Sequence, residues 1–146
     1  QKIGIAPQSI DAYIFGEHGD SSFPVISSAN VNGKPLLSFE GFGEKEAQKC
    51  YEDTRTAAYR IIHDLGFTCY SIATAVRAMT RAIIHDTKEV FMLSTLLNNY
   101  YGESGVCVSV PCVLDRTGIK EVIEVPLNDE ERARFATTVK TVKAYL

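Results

Sequence analysis

The residues with a chemistry of their own lie together in one short stretch, Gly16-Glu17-His18-Gly19-Asp20-Ser21. It sets an imidazole between two glycines at the end of an apolar run, followed by a short acidic turn. Histidine, with an unperturbed pKa of about 6.5, takes up and releases a proton near neutral pH. Gly16 and Gly19 relax steric limits on both sides, so the loop can bring the ring close to a ligand. An exposed surface loop has the same composition, so the stretch alone leaves proton transfer and plain loop both open.

The flanking segments read as the scaffold for this loop. Ile10 to Phe15 carries β-favouring residues and reads as a strand ending where the loop begins. Phe23 to Val31 reads as a second strand, and Asn32-Gly33 as a hairpin turn returning through Lys34-Pro35-Leu36. From Glu44 the apolar period becomes helical through Ala47, Cys50, Tyr51, Thr54, Ala57, Ala58, Ile61, Ile62 and Leu65, which predicts one long amphipathic helix with a buried stripe, stopped by Gly66. A second helix is expected to start near Thr68 as its N-cap and to run through Ile72, Val76, Met79 and Ile83 to His85. Val90 to Leu97, Val106 to Val113 and Ile119 to Val125 read as an antiparallel meander with Pro111 at an edge or bulge. Asn128 and Glu131 have the spacing of a capping box that opens a last helix through Phe135, Val139 and Val142. Strands, helices, strands and a helix describe an α+β fold, an antiparallel twisted sheet with long amphipathic helices packed on it.

The 146 residues suffice for one domain with a real core. Hydrophobic content of 45% and charged content of 23% match a soluble globular protein. A net charge of -3 without a block of like charge leaves no basic footprint for nucleic acid, and no apolar run approaches the roughly 20 residues of a membrane span. The N-terminal residues have no signal-peptide pattern, and Gln1 is not a natural start, so the chain is expected to be part of a longer protein. Cys50, Cys69, Cys107 and Cys112 form no Cys-x-x-Cys pair and are expected to be buried free thiols in a reducing compartment, Cys107 and Cys112 on opposite faces of their strand.

Other candidates for chemistry are weaker. His63-Asp64 and His85-Asp86 fall at expected helix ends with no further ligand at metal-site spacing, so no metal is assigned. Gly41-Phe42-Gly43 followed by Glu46 lacks the third glycine of a dinucleotide fingerprint and follows no clear strand.

The loop hexapeptide, together with Ala57-Ala58-Tyr59-Arg60-Ile61-Ile62, Thr80-Arg81-Ala82-Ile83-Ile84-His85 and Gly118-Ile119-Lys120-Glu121-Val122-Ile123-Glu124, resembles the C-terminal, substrate-binding domain of the lactate and malate dehydrogenase family, and within it the L-lactate type. The resemblance runs from Ala6-Pro7-Gln8-Ser9-Ile10 to the final helix. It implies that residues 1–146 are one substrate-binding domain, and that an NAD-binding Rossmann domain not contained in this chain precedes it. The implied reaction is the interconversion of pyruvate and L-lactate with NAD in the cytoplasm by a homo-oligomer, a dimer or tetramer. By the same resemblance His18 is the proton donor and acceptor. Thr68 and the small residues Ala57 and Ala58 line the substrate pocket, and Ile72 packs on the nicotinamide ring. Helical periodicity alone makes these four ordinary packing residues.

Three readings remain open. One is the lactate enzyme, one is a related L-2-hydroxyacid dehydrogenase of the hydroxyisocaproate or malate type, and one is an assembly or binding module without catalysis. The family's carbonyl-polarising and carboxylate-gripping arginines, and the aspartate that orients the histidine, belong to the preceding domain, so the chain alone is expected to be inactive. Relatives activated by fructose 1,6-bisphosphate carry a histidine seven residues before the catalytic one; Asp11 stands there, and its carboxylate would repel a phosphate.

Overall fold

A computed structural model of the chain describes residues 2–146. After a short 3-10 turn at Pro7–Ser9, β1 (Asp11–Phe15), β2 (Phe23–Val31) and β3 (Lys34–Pro35) form one antiparallel sheet in that order. Helices α1 (Glu44–Arg55), α2 (Ala57–Leu65) and α3 (Cys69–His85) follow. A second antiparallel sheet holds β4 (Glu89–Leu96), β5 (Cys107–Asp115) and β6 (Gly118–Val122), with β5 in the middle, and α4 (Asp129–Lys143) closes the chain. The α+β expectation thus resolves into two three-stranded sheets rather than one.

The local signals act as their chemistry requires. At the β2–β3 turn Asn32 and Gly33 both have positive φ, 50° and 84°, the geometry that matches a tight turn to the strand twist. At the start of α4 the Asn128 side chain accepts from the Glu131 N–H at 2.8 Å while the Glu131 carboxylate accepts from the Asn128 N–H at 3.0 Å. Glu131 is buried, and its carboxylate also accepts the Ile26 and Ser27 N–H groups, each at 2.9 Å, and the Ser27 hydroxyl. Pairing of β1 with β2 skips in this region, from Tyr13 opposite Val25 to Asp11 opposite Asn30. The side chain of α4 therefore takes up backbone donors that the sheet leaves free.

The long helix expected over 44–65 is two helices. The break falls at Thr56, whose N–H and hydroxyl both bond the Glu52 carbonyl, at 3.0 and 2.8 Å. The same hydroxyl bond occurs inside unbroken helices at Thr54 and Thr137, so it accompanies the break without explaining it, and a pattern of apolar residues carries no sign of it. Gly66 stops α2 as expected, with φ 81° and its N–H on the Ile62 carbonyl at 2.8 Å. Thr68 occupies the N-cap position of α3, but its side chain makes no capping bond.

The stripe expected to be buried along this region is buried only in α1, through Ala47 and Tyr51. No residue of α2 is buried and only Ala82 of α3 is, so Leu65, Phe67, Tyr70, Ile72 and Val76 are exposed. Among the described residues nothing packs over that face. The core lies elsewhere: Phe15, Phe23, Val25, Val108, Val110 and Phe135 join both sheets and α4, with the Phe15 and Phe135 rings edge-on at 6.3 Å.

Two further expectations are corrected. Only Cys112 is buried; Cys50 is half-buried and Cys69 and Cys107 are exposed, all four as free thiols. Cys107 and Cys112 do differ in exposure as opposite faces of one strand require. Pro111 sits in the central strand β5, opposite Met92 of β4 and fully buried, not at an edge or bulge. Its carbonyl accepts the Ile123 N–H at 2.8 Å, just beyond the end of β6. In that antiparallel pair the Ile123 carbonyl would expect the N–H that proline lacks. The buried Tyr100 hydroxyl donates to it instead, at 2.8 Å.

Candidate active site

The loop that carries His18 leaves β1 at Gly16 and rejoins the sheet at Phe23, and it is tied to three separate elements. Gly16 exchanges both backbone bonds with Ser109 of β5, donating at 3.1 Å and accepting at 2.7 Å, which joins the two sheets at the root of the loop. The Gly16 φ is +105°, and a Cβ there would lie 2.6 Å from the Thr138 hydroxyl oxygen, so only glycine fits. Thr138 is fully buried on α4 and accepts the Glu17 N–H at 3.1 Å. On the far side, the Tyr51 hydroxyl of α1 donates to the Ser22 carbonyl at 2.5 Å, and Arg55 pairs with Asp20 at 2.9 Å.

The Glu17 carboxylate folds back over the turn. It accepts the Ser21 hydroxyl at 2.6 Å and the Ser21 N–H at 3.0 Å, and these bonds hold its carboxyl below the usual carboxylate range. Gly19 passes this side chain at a distance where its own Cβ would stand 3.0 Å from the carboxyl carbon. His18 itself is exposed between these fixed points.

His18 opens into a cleft of about 850 Å³ lined also by Tyr51, Arg55, Ala58, Tyr59, Cys107 and Ser109. Of the residues expected beside it, Ala58 lines this cleft and Ala57, Thr68 and Ile72 do not. Ala57 and Thr68 are half-buried at the starts of α2 and α3, and Ile72 is 58% exposed one helical turn beyond Thr68. Among the described lining residues Arg55 is the one lysine or arginine, and its guanidinium is engaged by Asp20 and by Glu52 at 3.0 Å. The cleft thus presents a proton-transfer group but no unpaired guanidinium for an anionic guest.

The same division holds for a nicotinamide dinucleotide. An exposed isoleucine such as Ile72 suits the face of a flat, uncharged ring. Two helix starts are closed to a phosphate: α1 opens with Glu44 and Glu46, the latter accepting the Gly43 N–H at 3.0 Å, and α4 opens with Asp129, Glu130 and Glu131. A carboxylate at a helix N-terminus occupies the place of a phosphate and repels it. Ile72 therefore fits the ring end of such a cofactor, and the starts of α1 and α4 do not fit its pyrophosphate.

The sequence singled out His18 as a candidate but not the groups that hold its loop: Ser109, Tyr51, Arg55 and Thr138. Ser109 acts through its backbone, which no side-chain pattern marks. Thr138 left a trace, because it follows Phe135 by three positions and so lies on the apolar stripe of α4, where a hydroxyl needs a partner.

The chain is 43% identical over 146 residues to the L-lactate dehydrogenase of Bacillus caldolyticus, covering 97% of this chain and 46% of that protein. It is 43% identical over 142 residues to L-lactate dehydrogenase 1 of Staphylococcus aureus, covering 95% and 45%. The chain therefore spans about half the length of the curated relatives it matches. Among solved structures it superposes on the minor L-lactate dehydrogenase of Enterococcus mundtii with a TM-score of 0.91 at 32% identity, covering 98% of this chain and 47% of that one. On the malate dehydrogenase of Aeropyrum pernix the values are 0.87 and 30%, with 99% and 48% covered. The family model for the lactate/malate dehydrogenase alpha/beta C-terminal domain matches residues 1–146, and the chain belongs to that family.

Proposed function

We propose that this chain is the substrate-binding half of an NAD-dependent L-lactate dehydrogenase, a cytoplasmic, glycolytic oxidoreductase that interconverts pyruvate and L-lactate. The observation that carries the reading is His18, exposed in a loop pinned to β5, α1 and α4 and facing a cleft of about 850 Å³. The names of the similar proteins support the lactate-type assignment over the malate-type one.

In oxidation, His18 takes the hydroxyl proton of L-lactate as hydride leaves the same carbon; in reduction, protonated His18 returns it to the oxygen of pyruvate. Its imidazolium faces the alkoxide that develops in the reduction, so the ring supplies both proton and stabilising charge. NAD, when bound, supplies the hydride acceptor, with Ile72 against its ring. Thr68, Ala57 and Ala58 are assigned to the side of the substrate methyl group by the family resemblance; of the three, Ala58 lines the cleft beside His18, while Ala57 and Thr68 stand outside it at the starts of α2 and α3. The paired state of Arg55 supports a division of labour in which the groups that grip the substrate carboxylate and polarise its carbonyl come from a preceding NAD-binding Rossmann domain. The exposed apolar side chains of α2 and α3 support a partner there, that domain together with further copies in a dimer or tetramer. No helix among the described residues is long and apolar enough to cross a membrane.

The test is a substrate panel on the longer protein: pyruvate, oxaloacetate and branched 2-oxo acids with NADH, each against a His18→Ala control. Pyruvate should give the highest kcat/KM. Preference for oxaloacetate or a branched acid would move the assignment to the related hydroxyacid dehydrogenases, and no turnover with any of them would leave an assembly module. This chain by itself should show no turnover above its own His18→Ala control.

A further inference from the structure

The hydroxyl protons around the loop can be assigned one by one. Glu17, with its carboxyl held low, is an acceptor only, so the 2.6 Å contact from Ser21 must be a donation by the Ser21 hydroxyl. Ser21 has one hydroxyl proton, so in its 2.8 Å contact with Thr138 it accepts and Thr138 donates. The Thr138 oxygen in turn accepts the Glu17 N–H at 3.1 Å. The bonds close on themselves, from the Glu17 N–H to Thr138, from Thr138 to Ser21, and from Ser21 to the Glu17 carboxylate. His18 lies inside the segment that this ring encloses.

Neighbouring threonines on the same helix behave differently. Thr137 and Thr141 each donate to the carbonyl four residues earlier, at 2.9 and 3.0 Å, the ordinary local bond of a helical threonine. Thr138, fully buried, directs its proton across the interface to a residue 117 positions earlier in the chain. Its methyl and hydroxyl also fill the space that a Gly16 Cβ would need, so the side chain touches the loop at its root and at both ends of the ring.

We propose that Thr138 is a positioning residue for His18: through the closed ring with Ser21 and Glu17 it fixes the backbone of residues 17–21, and with it the place from which the imidazole exchanges its proton. This rests on the reading of His18 as the proton-transfer group. A ring of this kind restricts the loop without touching the substrate, and misplacement by a fraction of an ångström lowers the rate of a positioned proton transfer. Thr138 therefore acts on kcat and not on substrate affinity.

Three variants of the longer enzyme test this. Thr138→Val keeps the shape and removes the hydroxyl, Thr138→Ser restores the hydroxyl without the methyl, and Ser21→Ala breaks the same ring from the half-buried loop side, where folding is not at risk. Thr138→Val and Ser21→Ala should each lower kcat about tenfold while KM for pyruvate changes less than about twofold, and Thr138→Ser should recover most of kcat. In histidine-labelled samples of this chain, the His18 ring signal should broaden or shift in Thr138→Val and Ser21→Ala and return in Thr138→Ser. The proposal is overturned if kcat and the His18 signal stay at wild-type values in Thr138→Val or Ser21→Ala, or if Thr138→Ser is as impaired as Thr138→Val. The ring signal reports on positioning without any turnover, so an enzyme inactive toward all 2-oxo acids would remove the assigned reaction and leave the ring to be judged by that signal.

Discussion

Gly16 and Ser109 exchange both of their backbone hydrogen bonds, at 3.1 and 2.7 Å, and this single pair joins the β1 sheet to the central strand of the β4–β6 sheet. The root of the His18 loop is therefore a shared corner of the core. A side chain at Gly16 would meet both a φ of +105° and the Thr138 hydroxyl at 2.6 Å. Gly16→Ala should lower unfolding stability by about 2–3 kcal/mol, read as a shift of the urea midpoint at unchanged m-value. An unshifted midpoint would mean that the corner is free to rearrange.

His18 gives the opposite pattern. It is exposed and takes part in none of the bonds that hold its own loop, so His18→Ala should leave stability within about 0.5 kcal/mol of wild type. In the longer enzyme the same change should reduce kcat/KM for pyruvate by roughly 10²–10⁴-fold, the range for loss of a general acid–base group. Stopped-flow NADH absorbance beside a denaturation curve of the same sample separates the two effects.

Acid should loosen the loop before it unfolds the core. Bonds from the Ser21 hydroxyl and N–H depress the Glu17 pKa in the folded state, so the folded protein binds fewer protons at this group than the unfolded chain does. Its contribution is complete above the unfolded carboxylate pKa, about 4.3, and is lost as pH falls through the lower folded value. Ser21→Ala removes the main cause of the shift. The stability gap between wild type and Ser21→Ala should be widest near neutral pH and narrow as pH falls below the unfolded carboxylate value of about 4.3, leaving the part due to the Ser21–Thr138 bond; a gap constant from neutral pH into acid would remove the assignment.

Tyr100 supplies a donor where Pro111 has none. Burial pushes its phenol well above the usual tyrosine range, so it stays protonated and donates to the Ile123 carbonyl at all ordinary pH. Tyr100→Phe keeps the ring among Tyr101 and Phe135 and deletes only the hydroxyl. A loss of about 1–2 kcal/mol is expected, with faster amide exchange at Ile123 at the end of β6. An unchanged exchange rate there would show that water serves the carbonyl equally well.

Features governed by neighbouring residues were legible in the sequence: β2, the Asn32-Gly33 turn, the Gly66 stop and the Asn128–Glu131 capping box all depend on chemistry within a few positions. His18 was legible as a candidate for the same reason, and became an assignment only beside the matching segments. What escaped was decided at a distance or by the backbone. Periodicity names the residues that share a helix face, not what covers it, so the exposed stripe of α2 and α3 could not be foreseen. The break at Thr56 lies inside a continuous helical period of apolar residues, which has no signal for it. The ties of the loop to Ser109, Tyr51 and Thr138 cross the fold, and only Tyr51 and Thr138, hydroxyls on apolar stripes, left a mark in the sequence.

The proline of the central strand also bears on the fate of a partly opened molecule. Were β6 to fray, the newly bare side of β5 would present a row of backbone groups to any passing strand, the usual start of aggregation. Pro111 cuts that row short at the end nearest Ser109, since an incoming chain would meet a carbonyl with no N–H beside it. Within the native fold Tyr100 answers the unmatched Ile123 carbonyl, but a foreign strand brings no such phenol. The substitution of one side-chain donor for one backbone donor thus makes β5 selective: it accepts its own neighbour fully and any other only with a gap.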